Sequence, residues 1–90
     1  MTTSDGSAWA VAVAAQLRAE LAASPLTAKT LADLIKIDRV TLSRYLNGHR
    51  DIPVSVFLDI VRELNVEAAQ VISDAKRRLD NGKRDSGVDV

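Results

Sequence analysis

The stretch Leu26–Gly48, LTAKTLADLIKIDRVTLSRYLNG, contains two helix starts of the same design. In each, an apolar residue precedes a short polar one: Leu26-Thr27, then Ile37-Asp38. Thr and Asp suit the N-cap because their side-chain oxygens accept from the N–H groups that a helix start leaves without partners. An apolar residue just before the cap packs one turn inward as a hydrophobic staple, here Leu26 on Leu31 and Ile37 on Leu42. The two caps lie eleven residues apart. A helix over about 28–35 must therefore pass through a turn of only three or four residues into a second helix over about 39–47. Helices joined that tightly cross at a steep angle, which is the helix-turn-helix geometry. Gly48 follows as the left-handed terminator of the second helix.

The flanking segments read as support. Ser7 is placed as the N-cap of a helix ending near Ala23, with Trp9, Val13, Leu17 and Leu21 recurring every four residues. Ser24-Pro25 stops it, because proline disfavours the α conformation at the residue before it. Residues 49–53 form a loop with Ile52 turned inward. A fourth helix spans about Val54–Leu64 and buries Val56, Phe57, Ile60, Val61 and Leu64, with Asn65 in the left-handed region after it. A fifth spans about Glu67–Leu79. Met1–Gly6 reads as a frayed leader, and residues 80–90 (DNGKRDSGVDV) as a disordered polar tail without periodicity. The expected architecture is an all-α, five-helix bundle forming one domain over residues 1–79, followed by that tail.

Composition narrows the chemistry. Ninety residues, 47% hydrophobic and 27% charged, suit one small globular domain. With one Trp, one Tyr and one Phe, the core must be aliphatic and rich in alanine. Cysteine is absent and His49 is the single histidine. That excludes a disulfide framework, a thiolate site and a multi-histidine metal site within one chain. No nucleophile–base pairing is recognisable either, so the expectation is no catalytic residue, no metal, no cofactor and no enzyme. No apolar run is long enough to span a membrane. Residues 8–17 are apolar, but the first basic residue, Arg18, follows them, so a secretory signal is not indicated and the expected location is cytoplasmic.

The formal net charge is zero, yet the charges are unevenly placed. From Lys36 to Arg50 the cations Lys36, Arg39, Arg44 and Arg50 face one anion, Asp38. A second basic run, Lys76, Arg77, Arg78, Lys83 and Arg84, surrounds Asp80. The second run reads as a solvated helix end that complements the helix dipole. The first is different. With Leu42 and Leu46 buried, Arg39, Val40, Thr41, Ser43, Arg44 and Asn47 point outward. Arginine pairs bidentately with guanine, and a valine methyl fits against the thymine methyl. Arg39, Val40 and Arg44 are therefore the candidate DNA base contacts. Thr27, Lys29, Thr41, Ser43, Asn47, His49 and Arg50 carry the donors suited to backbone phosphates.

At this level residues 24–72 resemble the lambda-repressor/Cro family of helix-turn-helix domains, also called the XRE family. The matching pattern is Leu26-Thr27, Leu31-Ala32, Ile37-Asp38-Arg39, Thr41-Leu42-Ser43-Arg44, Asn47-Gly48, Pro53, Ile60-Val61, Leu64 and Val66. The Leu46-Asn47-Gly48 ending is similar to that of phage repressors. The resemblance implies base reading at the positions of Arg39, Val40 and Arg44, and backbone contact at those of Thr41, Ser43 and Asn47. Three positions depart from the pattern. Ala28 stands where a phosphate-anchoring glutamine is usual, Lys36 where the turn glycine is usual, and Val54 where a serine caps the fourth helix. Lys36 must then adopt a left-handed or adjusted turn, at some strain for a residue with a Cβ.

The resulting expectation is a sequence-specific transcription regulator of repressor or Cro type, of phage or prophage kind. It would bind double-stranded DNA as a homodimer on a palindromic operator. The stripe Ala68, Val71, Ile72, Ala75 and Leu79 is the candidate dimer face, with packing against the first helix as its alternative. Two other functions stay open: the antitoxin of a toxin–antitoxin pair, which would also hold a toxin, and a protein-interaction module on the same fold.

Overall fold

The computed structural model describes the backbone of residues 3–87 and the side chains of residues 8–81. Five helices follow one another: α1 (Thr3–Ala23), α2 (Ala28–Ile35), α3 (Arg39–Leu46), α4 (Val54–Leu64) and α5 (Ala68–Gly87). No strand occurs among the described residues. The all-α bundle with α2 and α3 as its helix-turn-helix is the architecture expected from the sequence.

Each helix contributes one large side chain that solvent does not reach: Leu17, Leu31, Leu42, Ile60 and Val71. Ala32, Ile35, Leu46, Phe57, Val61 and Leu64 complete the central cluster. Burying an aliphatic side chain of this size contributes roughly 1.5–3 kcal/mol. A core to which all five helices contribute therefore ties the helix-turn-helix to the rest of the chain.

The turns are fixed by backbone chemistry. Three helices end in the same way, with a residue in the left-handed region: Lys36 (φ 62°), Gly48 (φ 73°) and Asn65 (φ 60°). That residue donates three positions back, Lys36 to the Asp33 carbonyl (3.3 Å), Gly48 to Tyr45 (3.1 Å) and Asn65 to Arg62 (3.1 Å). The next residue donates five back, Ile37 to Ala32 (3.0 Å), His49 to Arg44 (2.9 Å) and Val66 to Val61 (3.1 Å). This is the Schellman motif, which satisfies carbonyls that a helix end would otherwise expose. Ile37 and Val66 also pack against the core, so two of the three turns are pinned from inside. Lys36 takes the left-handed geometry expected of a residue in the place of the turn glycine.

Helix starts follow the expectation in part. The Thr27 hydroxyl accepts from the Thr30 N–H at 3.1 Å, and Leu26 is half-buried against the core. Asp38 has the extended backbone of a cap but makes no side-chain cap bond, so α3 is started by its staple residue Ile37 and not by the Asp38 carboxylate. At the chain's beginning α1 starts at Thr3, so Ser7 is a helical residue and not the cap. The alanine-rich run after it propagates helix back through Gly6, whose cost of about 1 kcal/mol does not stop it. Met1 and Thr2 lie outside the described residues. At the far end α5 continues past Leu79 to Gly87. Lys76 Nζ reaches Asp80 Oδ2 at 2.9 Å across this point, and no proline intervenes. The expected tail is thus helical as far as Gly87, and residues 88–90 lie outside the described residues.

α5 packs chiefly on α1. The buried alanines Ala12, Ala14 and Ala75 allow the close approach. A polar bridge joins the same pair: Arg78 Nε donates to Gln16 Oε1 at 2.8 Å, and Gln16 Nε2 donates to Glu20 Oε2 at 2.9 Å. This corrects part of the candidate dimer face. Val71 and Ala75 are fully buried within the protomer, and Ala68 packs against its core, so none of the three is offered to a second copy. Leu79 is half-buried, and Ile72 alone of the set is widely exposed.

Candidate nucleic-acid interface

α3 is amphipathic in the way a reading helix must be. Leu42, Tyr45 and Leu46 are buried, while Arg39, Val40, Ser43, Arg44 and Asn47 are exposed and Thr41 is half-buried. Val40 is 61% exposed, an isolated apolar side chain on an otherwise polar surface. Val40 stands one turn before Arg44 and shares a stripe of the helix with it, while Arg39 stands one turn before Ser43 on the neighbouring stripe. Lys29 is exposed in the first turn of α2, and Lys36 in the turn between α2 and α3.

Several of the predicted backbone contacts already have local partners. The Asn47 amide donates to the Ser43 carbonyl (2.9 Å) and to Ser43 Oγ (3.2 Å), fastening the last turn of α3. The Thr27 hydroxyl donates to Thr30 Oγ1 at 3.0 Å while it caps α2. His49 and Arg50 are exposed in the loop after α3, and the Arg50 guanidinium sits 6.0 Å above the centre of the Tyr45 ring. That is the outer range of a cation–π contact, so Arg50 leans back on the bundle.

The cations separate into two sets. On α4 and α5, three of those among the described residues are paired: Arg62 with Asp59 (3.3 Å) and Glu63 (3.6 Å), Lys76 with Asp80 (2.9 Å), Arg77 with Asp74 (2.8 Å). Arg78 is held by Gln16. Lys29, Lys36, Arg39, Arg44 and Arg50, by contrast, have no carboxylate within ion-pair distance among the described residues. A neutral chain thus carries, around α3, five exposed cations without ion-pair partners among the described residues, with the exposed carboxylates Asp33, Asp38 and Asp51 in the same stretch. Exposed pairs add little stability. Their effect here is on charge distribution, because they engage Arg62, Lys76 and Arg77 and leave the cations around α3 without such a partner.

Arg18, in the middle of α1, was not apparent from the sequence. Its Nη1 donates to the carbonyl of Leu46, the last residue of α3, and places a cation at the negative end of that helix dipole. The contact joins residues far apart in sequence, which no local pattern signals. Gln16 was missed for the same reason, although its i, i+4 spacing from Glu20 was visible.

A rigid bundle, an exposed helix at a steep turn and a field of unpaired cations around it define a nucleic-acid-binding domain of the helix-turn-helix class. Comparison with protein families agrees: the model described as helix-turn-helix, of the Cro/C1 type, matches residues 17–71, and the chain belongs to that family. No curated protein and no solved structure matches it. The protein is therefore a DNA-binding helix-turn-helix regulator. Among the described residues no helix is long and apolar enough to cross a membrane, and no cluster of His, Asp or Glu is arranged to hold a metal ion.

Proposed function

We propose that this protein is a sequence-specific repressor of the Cro type acting in the cytoplasm, with α3 laid in the major groove of double-stranded DNA. Arg39, Val40 and Arg44 contact base edges. Lys29, Thr41, Ser43, His49 and Arg50 contact the backbone, with Thr27 and Asn47 acting mainly on the helices themselves. The observation that carries this reading is that Lys29, Lys36, Arg39, Arg44 and Arg50 have no carboxylate within ion-pair distance among the described residues, while Arg62, Lys76 and Arg77 each have at least one. A guanidinium kept clear of its own protein's carboxylates keeps its bidentate donors for guanine O6 and N7.

One α3 spans only a few base pairs, and a homodimer on a palindrome doubles the reading. An open apolar groove of about 280 Å³ supports that assembly, lined by Trp9, Val13, Ile52, Val54, Phe57 and Ile72. Trp9 (38%), Val54 (73%) and Ile72 (47%) are exposed around it. A second copy is its occupant in this reading, and zero net charge removes long-range repulsion between copies.

Selection of bound sequences from random duplex DNA, followed by salt titration, tests the function. An enriched palindrome and steep salt dependence are expected; no enrichment together with salt-insensitive affinity overturns the proposal. Sedimentation of the complex tests the assembly. A single protomer on the selected site overturns the second copy as the groove's occupant.

A further inference from the structure

A second groove, of about 460 Å³, lies between α1, the start of α2 and α3. Its polar lining comes from Arg18, Ser24, Arg39, Ser43 and Asn47, and Ala28 leaves its α2 wall short. Arg18 and Arg39 thus face one groove from different helices, and neither has a carboxylate within ion-pair distance among the described residues. Two cations facing one open groove without a paired carboxylate make it attractive to a negative charge. Arg18 spends one N–H on the Leu46 carbonyl. A guanidinium has five, set in a fixed fork, so further donors remain for that charge. Ser43 is prepared in the same sense. Its oxygen already accepts from the Asn47 amide at 3.2 Å, and its hydroxyl proton stays free to rotate towards an acceptor.

We propose that Arg18 and Arg39, with the Ser43 hydroxyl, form a notch that grips one phosphate of the DNA backbone beside the groove read by α3. The inference rests on the DNA-reading role of α3 and adds α1 to the interface. Through Leu46, Arg18 also links that phosphate to the end of the reading helix. Arg39 becomes the hinge of the recognition surface, shared between base edge and backbone, and Arg44 is left as the principal base-reading arginine.

The test measures affinity for the selected duplex against salt for the intact protein, Arg18→Gln and Arg18→Lys. Each lost phosphate contact reduces the slope of log affinity against log salt by about 0.9. Arg18→Gln should show that decrease and bind about tenfold more weakly at low salt, equally across related sequences, while Arg18→Lys keeps the slope. Duplexes carrying one neutral methylphosphonate, placed in turn along the site, give a second reading that does not depend on the variant's stability. At one position the intact protein should lose the same slope, and Arg18→Gln should lose nothing more. An unchanged slope in Arg18→Gln, or additive losses at every methylphosphonate position, overturns the notch and leaves Arg18 as a support for α3. If the intact protein shows neither sequence preference nor salt dependence, the DNA-reading role itself fails, and the two failures are distinct.

Discussion

Lys36 holds the turn of the helix-turn-helix in a conformation that costs a residue with a Cβ. At φ 62° and ψ 42° it sits in the left-handed region, where such a residue is about 1–2 kcal/mol less favourable than glycine. Glycine at this position would remove that cost but increase the freedom of the unfolded chain, a loss of roughly 0.5–1 kcal/mol. The Schellman bonds from Lys36 and Ile37 use backbone groups and survive the change. Lys36→Gly should therefore stabilise the fold by about 0.5–1 kcal/mol, equivalent to a rise in Tm of roughly 2–8 °C for a domain of this size. Two companions calibrate the reasoning. Asn65→Gly, at φ 60°, should gain less, because asparagine tolerates this region better than lysine. Gly48→Ala should lose about 1–2 kcal/mol, since it adds backbone strain at φ 73° and a Cβ 3.3 Å from Val11 Cγ2. Urea unfolding followed by circular dichroism gives all three. If Lys36→Gly lowers stability, or if Asn65→Gly gains more, backbone strain is not what distinguishes these positions.

Other expectations concern the core, the caps and the reading face. Leu42→Ala removes a fully buried side chain from α3 and should destabilise by about 2–5 kcal/mol in urea unfolding, enough to abolish folding in a domain of marginal stability. Thr27→Ala loses a real cap bond and should cost about 1 kcal/mol, whereas Asp38→Ala should cost a few tenths, because no cap bond is there to lose. Arg44→Ala should relax preference at one base position at a cost of about 1–3 kcal/mol. An equal loss on every sequence in a competition assay would make Arg44 a backbone contact. Lys76→Ala, which leaves α3 untouched, should change neither affinity nor salt slope in the same assay.

What the sequence made legible was local. Thr27, Lys36, Gly48 and Asn65 act through neighbours within five residues; Thr27, Gly48 and Asn65 could be placed from residue type and spacing, and Lys36 from the family resemblance. The outward set on α3 followed from helical period once Leu42 and Leu46 were assigned inside. The misjudged packing contacts needed a distant partner. The period of α5 locates an apolar side but does not say what covers it, so Val71 and Ala75 looked equally suited to a second protomer and to α1. The bonds from Arg18 to Leu46 and from Arg78 to Gln16 cross 28 and 62 residues, and nothing near either arginine announces them. Helix limits failed where caps are redundant. Residues 1–7 hold several Ser, Thr and Asp candidates, and 80–87 contain glycine but no proline.

The clasp between α1 and α5 also bears on how the molecule comes into being. α1 finds its main partner in α5, so their contact closes only after α2, α3 and α4 have been added. Closing so long a loop is entropically costly, and its return arrives only when α5 docks. DNA-reading competence should therefore appear in one late step during synthesis, and a protease cut between α4 and α5 should erase it without touching a single residue of the reading helix.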